Sequence, residues 1–348
     1  MLDIDASFGE GGGQLLRTGV ALSAITGTAV RFSQIRAKRD KPGLAPQHLA
    51  AVKAVAEICS AQVEGLALRA QTLTFMPGKI RSGNFRFDIG TAGSITLLLQ
   101  ALLPVLISAS GPSQMTVTGG TDVRAAPPLD YFSNVLLRLL RTMGVEAQLE
   151  TRRRGYYPRG GGEVEIRIMP ARLKPLQIES CGALTALRGV AHVANLPAHI
   201  VERMRAAALE KLGDIGAEAQ IETSVLDAER AIGQGGALVL WAETRDSTLG
   251  SGRVAERGLR AEVLGESAAA ELRADLACGA TVDIHAADQL LIYAALARSD
   301  SRFTVRELSS HAQTAMWLIG RFLPIRFRTE AQGACVAVTV SHALGGSP

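Results

Sequence analysis

His311 has the most chemistry to offer in this chain. It lies in Ser309-Ser310-His311-Ala312-Gln313-Thr314, where Ser309 or Ser310 can cap a helix and Ala315, Leu318 and Phe322 recur on one helical face. That spacing puts the imidazole at the mouth of a helix, on the edge of the core. A His there is usually a packed structural residue, yet a neutral imidazole is also a competent nucleophile toward phosphorus. In Gly9-Glu10-Gly11-Gly12-Gly13-Gln14-Leu15-Leu16-Arg17, three consecutive glycines precede an apolar run. Backbone N–H groups there can approach an anion closely, and a helix start adds favourable partial charge. Gln14 and Arg17 are three apart and share a helical face. The pattern is neither a Walker A nor a GxGxxG sequence, so a flexible turn with a solvated Arg is the plain alternative.

Two more segments carry charge. Arg36, Lys38, Arg39 and Lys41 fall within six positions before the Pro42-Gly43 stop, a pattern that suits either a solvated run or phosphate oxygens. Pro46-Gln47-His48 follows, with Gln47 in the first turn of the next helix. His285-Ala286-Ala287-Asp288-Gln289 opens another apolar helix, and Asp288 reads either as its N-cap or as a metal ligand. As a ligand it needs a second carboxylate, and Glu10 is the candidate by repeat position.

The elements that must place these residues recur. A loop of small or acidic residues leads into an apolar helix and then a β-rich stretch: residues 9–14, 15–25 and 29–32; then 90–94, 95–107 and 115–118; then 287–289, 290–297 and 303–305. Between them, Pro46 opens a helix with Leu49, Val52, Ala56 and Cys59 on one face, and another helix runs from Leu129 to Met143. Repeated strand–helix units predict an α/β fold of sheets with helices packed on one face. Residues 182–280 read differently, with strands at 187–193 and 237–241, helices at 200–212 and 266–278, and Gly-rich turns at 233–236 and 250–252. The repeat resumes at Thr281, so this span is an inserted small α/β domain, with the large domain in two parts, 1–181 and 281–348. The tail Gly345-Gly346-Ser347-Pro348 is expected to fray.

Composition narrows the classes. With 47% apolar and 20% charged residues the chain is an ordinary globular protein rather than a disordered one. Aromatics make up 4%, too few for a run of base-stacking platforms, so a nucleic acid would be held by its phosphates or its end. Cys59, Cys181, Cys278 and Cys335 are isolated, which argues against a zinc or disulfide framework and for reduced thiols in a cytoplasm. The acidic start, Met1-Leu2-Asp3-Ile4-Asp5, lacks a signal peptide's pattern, and the apolar run 95–107 is too short to span a bilayer. The expectation is a soluble protein.

Taken together, GEGGGQLLR, IRAKRDKPGL with PQHL, GTAGS with LLLQALLP, GGTDVRAAPP, RRGYYPRGGGEV, HAADQL and SSHAQT resemble the RNA 3′-terminal phosphate cyclase family from residue 9 to about residue 324. The resemblance implies repeated βαβαββ-type units plus a small inserted domain. It implies that ATP adenylates His311 at Nε2, that the AMP activates an RNA 3′-phosphate as an anhydride, and that the product is a 2′,3′-cyclic phosphate. It casts Glu10 and Asp288 as ligands of Mg²⁺ or Mn²⁺. Gln14, Arg17, Gln47, Gln100, Pro127, His285, Ala286, Ala287, Asp288 and Gln289 match ATP-binding positions, with Pro127 near the adenine. Arg36 and Arg39 match positions that contact RNA phosphate. His285 stands where some members carry Tyr, and an imidazole can still stack on adenine. The partner is an RNA with a 3′-terminal phosphate, and oligomeric state is left open, a homodimer included.

Every motif lies outside 182–280, which predicts a nucleotide site built without the insert. Two other readings compete. A catalytically inactive cyclase-like ribosome-biogenesis factor would lack the nucleophilic His, and an enolpyruvyl-transferase of similar repeats would need no covalent His. The SSHAQT and HAADQL segments disfavour both.

Overall fold

A computed structural model describes residues 1–213 and 215–342, so the expectation of a frayed tail lies outside the described residues. The first unit runs β1 (Leu2–Asp5), α1 (Gly13–Thr26), β2 (Val30–Ser33), α2 (Pro46–Cys59), β3 (Gln62–Glu64) and β4 (Leu73–Met76). β1 and β2 are parallel, and the antiparallel β4 joins β2 to β3. The second unit is β5 (Gly83–Asp88), α3 (Ile95–Leu106), β6 (Ser113–Gly119), α4 (Leu129–Tyr131), α5 (Leu137–Thr142), β7 (Ala147–Gly155) and β8 (Gly162–Ile168). It repeats the same wiring: β5 and β6 are parallel, and β8 lies antiparallel between β6 and β7.

The third unit is split. Its opening strand is reduced to Gln177, which bridges Arg302 in parallel. The chain then builds β9 (Leu184–Ala194), α6 (Ala198–Leu212), β10 (Ala219–Leu226), β11 (Ala231–Ile232), β12 (Gly235–Thr244), β13 (Thr248–Val254) and α7 (Ala261–Cys278). It returns as α8 (Ile284–Leu296), β14 (Ser301–Val305), α9 (Ser310–Phe322), β15 (Ile325–Gln332) and β16 (Cys335–His342). β16 lies between β14 and β15, again antiparallel to both. The protein is thus mixed α/β, built on three βαβαββ-type units.

The helices start where the sequence supplies caps. Ser94 accepts from the Leu97 amide, Asp283 from those of His285 and Ala286, and Ser309 from that of Ala312. α1 stops at Gly27, whose φ of 69° suits a residue without Cβ. The apolar faces of α1, α3, α8 and α9 pack on one another, so the three units share one core. Among the described residues no helix is long and apolar enough to cross a membrane.

Residues 184–278 form a second sheet-and-helix layer, order β10-β9-β12-β13, covered by α6 and α7. β12 serves two cores because side chains alternate along a strand. Val239 and Trp241 join the main core, while Leu238, Leu240 and Ala242 join the second.

Three local expectations are corrected. The helix over 129–143 is interrupted by a π-helical turn, Phe132–Leu136, between α4 and α5. In α2 the buried face is His48, Ala51, Val52, Val55, Ile58 and Cys59, leaving Leu49 and Ala56 at its margin. The glycines at 235–236 and 250–252 are strand residues rather than turns. A Cβ on Gly250 would lie 2.4 Å from Val135, and one on Gly252 2.9 Å from Pro128, so β13 can lie against α4 and the π turn only with glycine there.

Candidate active site

α1 and α9 bring their N-terminal ends together. The His311 ring is half exposed, with Nδ1 2.8 Å from Gln14 Oε1 and Nε2 3.4 Å from a Glu10 carboxylate oxygen. With Gln14 Oε1 accepting from Nδ1–H, the lone pair is left on Nε2. Ser310 Oγ–H donates to Glu10, and Arg39 Nη2 lies 3.6 Å from the same carboxylate. Gly12 begins α1 with no side-chain cap, so the first-turn amides are open to an anion.

His311 and Gln14 face a cavity of about 450 Å³, whose wall also holds Arg17, Gln100, Pro127, His285, Asp288 and Gln289. Arg17 is only 9% exposed. Burial lowers its guanidinium pKa to about 10, and the charge that opposes this is Asp288. Arg17 therefore stays cationic at neutral pH and presents its donors to the cavity.

Asp283, not Asp288, caps α8, so the capping reading of Asp288 is corrected. Asp288 sits in the second turn, where burial pushes its carboxyl up to about 7; Asp283 and Glu10 add to the rise, and His285 and Arg17 oppose it. A buried carboxyl that feels the charge of Glu10 offers oxygen donors of the kind a divalent cation takes.

The polar wall is cross-linked. Gln100 Nε2 donates to Gln289 Oε1 at 2.6 Å, and Gln289 Nε2 donates to the His285 carbonyl at 2.7 Å. Pro127 is held by its carbonyl, which accepts from Thr96 Oγ1 at 2.8 Å. Ala286 and Ala287 are buried in the main core and are not in the cavity wall. Gln47 is not in the cavity wall; it packs in the first turn of α2 beside Gly93. The Arg36 Nη1 donates to the carbonyls of Lys41 and Gly43, both at 2.9 Å, and so folds its own loop, while Arg39 reaches the Glu10 end.

The expectation of a site built without residues 182–280 is corrected. Gly252, Arg253, Val254, Glu256 and Leu259 line the same cavity. Glu271 of α7 pairs with His285 Nε2 at 3.2 Å and with Arg253 Nη1 at 2.9 Å. These partners outweigh burial and hold the Glu271 carboxyl down at about 2. His48 lies outside the cavity wall and packs against the start of α1. Its Nδ1 accepts from the Ala45 amide at 3.1 Å, and burial with Arg17 and Arg36 nearby pushes its pKa down to about 3, which keeps it neutral. A Cβ on Gly13 would lie 2.0 Å from His48 Nε2, so the glycine is what lets α1 start against this ring.

Among the described residues the group of three with metal-ligand proximity is Asp122, Asp130 and His192. Arg154 already lies among them, 3.0 Å from Asp122 and 2.7 Å from Asp130. A guanidinium occupies the place of a cation, and the group ties β9 to the second unit.

The fold and the cavity define a mixed α/β protein of βαβαββ units with a histidine–carboxylate pair beside an open helix start. The family model described as RNA 3′-terminal phosphate cyclase matches residues 8–329. A protein of Nitrosospira multiformis named RNA 3′-terminal phosphate cyclase is 51% identical over 347 residues, 99% of this chain and 98% of the relative. Proteins of the same name from Archaeoglobus fulgidus and Methanopyrus kandleri are 47% and 46% identical, each over 93% of this chain and over 96% and 94% of their own lengths. The chain belongs to the RNA 3′-terminal phosphate cyclase family.

Proposed function

We propose that this protein uses ATP to convert an RNA 3′-terminal phosphate into a 2′,3′-cyclic phosphate through a covalent AMP on His311. The observation that carries the reading is the hydrogen bond from His311 Nδ1–H to Gln14, which leaves the lone pair on Nε2, beside the Glu10 carboxylate, as the nucleophile. Nε2 forms a bond to the α-phosphorus of ATP as the bond to pyrophosphate breaks. Arg17 and the open amides of α1 offset the charge that builds on the phosphate oxygens. An oxygen of the RNA 3′-phosphate then takes the AMP from His311, forming an anhydride. The neighbouring 2′-oxygen attacks the RNA phosphorus, loses its proton to water and expels AMP. Proximity suffices for that last step, because the nucleophile is held a few bonds from its target.

Pro127 and His285 flank the adenine on this reading, and Gln100 and Gln289 fix the sugar end of the nucleotide. Glu10 and Asp288 hold Mg²⁺ or Mn²⁺, which neutralises phosphate charge when bound. Residues 182–280 act as a small domain that closes one wall of the nucleotide cavity, and the enzyme works in the cytoplasm. Mass spectrometry of the protein after incubation with ATP and Mg²⁺ tests the reading. One added AMP is expected, acid-labile and alkali-stable as a phosphoramidate is, and absent from His311→Ala. An adduct on His311→Ala, or none on the wild type, would overturn it.

A further inference from the structure

The loop that carries Glu10 is laid along α9 in register. Glu10 meets Ser310, Gly9 meets Thr314, and Phe8 meets Trp317. Positions 310, 314 and 317 follow one stripe of the helix, so the loop and the helix are matched contact by contact. The Phe8 and Trp317 rings stack with centroids 4.0 Å apart and planes 13° from parallel. Gly9 makes the closest approach: a Cβ there would lie 2.3 Å from Thr314 Oγ1, and its φ is +59°. Thr314 is itself fixed, because its Oγ1 donates to the Ser310 carbonyl at 2.8 Å.

Phe8 is 40% exposed and Trp317 is only partly buried, so the pair sits at the rim of the main core. Its energetic effect is local, on where the loop lies. The loop itself is short of other anchors: Phe8 N–H donates to the Asp5 carbonyl at 3.3 Å and Gly11 N–H to the Phe8 carbonyl at 3.0 Å, both within the turn. Among the described residues, the hydrogen bond and ion pair left between the loop and α9 without the stack are those of Glu10 with Ser310 and His311, beside the close approach of Gly9 to Thr314.

We infer that Phe8 and Trp317 are positioning residues: their stack clasps the glycine-rich loop to α9 in the one register that sets Glu10 against His311. The inference rests on the proposed self-adenylation, in which Glu10 serves the step at His311. An aromatic pair of this kind shifts a docked-to-undocked equilibrium by about three- to tenfold. Removing it should lower the rate of adenylation by that factor while leaving the cavity that binds ATP intact.

The test compares wild type, Phe8→Ala, Trp317→Ala and Trp317→Phe. Single-turnover formation of the AMP adduct is followed against ATP and Mg²⁺ concentration. Phe8→Ala and Trp317→Ala should lose about three- to tenfold in maximal rate, need more Mg²⁺, and keep the wild-type KM for ATP. Trp317→Phe should restore the rate, since a ring still stacks. Hydrogen exchange over residues 6–13 should quicken in both Ala variants and not in Trp317→Phe, a readout independent of activity. Unchanged adduct rate and unchanged exchange in the Ala variants overturn the inference. So does normal adenylation with slowed AMP transfer to RNA, which would make the rings an RNA contact instead. Wild type that forms no adduct refutes the proposed function, and the exchange comparison then decides the clasp by itself.

Discussion

His311 Nδ1 and Gln14 Oε1 lie 2.8 Å apart although 297 residues separate them in the chain. The bond joins the first turns of α1 and α9 and selects which ring nitrogen carries the lone pair. Gln14→Ala should therefore slow adduct formation at saturating ATP by about 10- to 100-fold, the range for losing a hydrogen bond to a group that becomes charged. Quenched-flow labelling with radioactive ATP measures it directly, and a rate like wild type would show that Gln14 does not orient the ring.

Asp288→Asn and Glu10→Gln should each raise the Mg²⁺ concentration needed for half-maximal adenylation, with the overall fold unchanged by circular dichroism. Because Asp283 caps α8, Asp288→Asn removes no cap, and any loss reports on the cavity rather than on the helix. Metal titrations of the two single variants and the double variant check this. If the two carboxylates share one ion, the double variant should be little worse than either single one.

Arg39 and Arg36 should separate in their effects. Arg39→Ala removes a cation beside Glu10 and should slow transfer of AMP to RNA more than self-adenylation, with weaker dependence on salt. Arg36→Ala frees the carbonyls of Lys41 and Gly43 and should loosen the whole 36–43 loop, lowering thermal stability slightly as well. Parallel measurement of adduct formation, transfer to a 3′-phosphorylated RNA and melting temperature distinguishes the two.

The recurring units were legible in the sequence because their signals are local. Ser309, Ser94 and Pro46 announce helix starts, and the small-residue loops before α1 and α3 stand out by composition. His311, Glu10 and Asp288 were singled out by the family resemblance and by repeat position; His311 and Asp288 line one cavity, and Glu10 lies beside His311. What was not legible depends on contacts distant in the chain. Arg253 and Glu271 belong to no motif; Glu271 reaches His285, and Arg253 reaches Glu271, because β13 lies against α4 and α7 covers β13. Gly250 and Gly252 read as turn residues because glycine punctuates most chains, whereas here they provide clearance in a strand. The first strand of the third unit, at Gln177, is separated from its partner Arg302 by the whole insert.

Asp275 provides a pH test away from the cavity. Its side chain is fully buried on α7, with Oδ1 accepting from Arg306 Nε at 2.8 Å. Burial pushes its carboxyl up to about 6, Asp283 and Glu271 add to the rise, and Arg306 opposes it. A carboxyl whose pKa is raised by folding holds its proton more tightly in the folded state. Its contribution to stability is complete below the ordinary carboxylate range and is lost as pH rises through about 6. Between pH 5 and 7.5 the wild type should lose about 1 kcal/mol more stability than Asp275→Asn, read from urea unfolding at each pH. Parallel pH profiles for the two proteins would refute the assignment.

Glu10 and Ser310 touch across 300 residues of chain. The ribosome therefore makes the glycine-rich loop long before the histidine. At a synthesis rate on the order of 10 residues per second, the loop waits about half a minute for its partner helix. A chain interrupted after the second unit can bury much of its apolar surface yet lacks α9 and His311. β14 can meet Gln177 only after the whole insert has been made, and α9, which packs on α1, is made later still. The cavity wall that holds Gln14, Arg17 and His311 is thus complete only once α9 has been made.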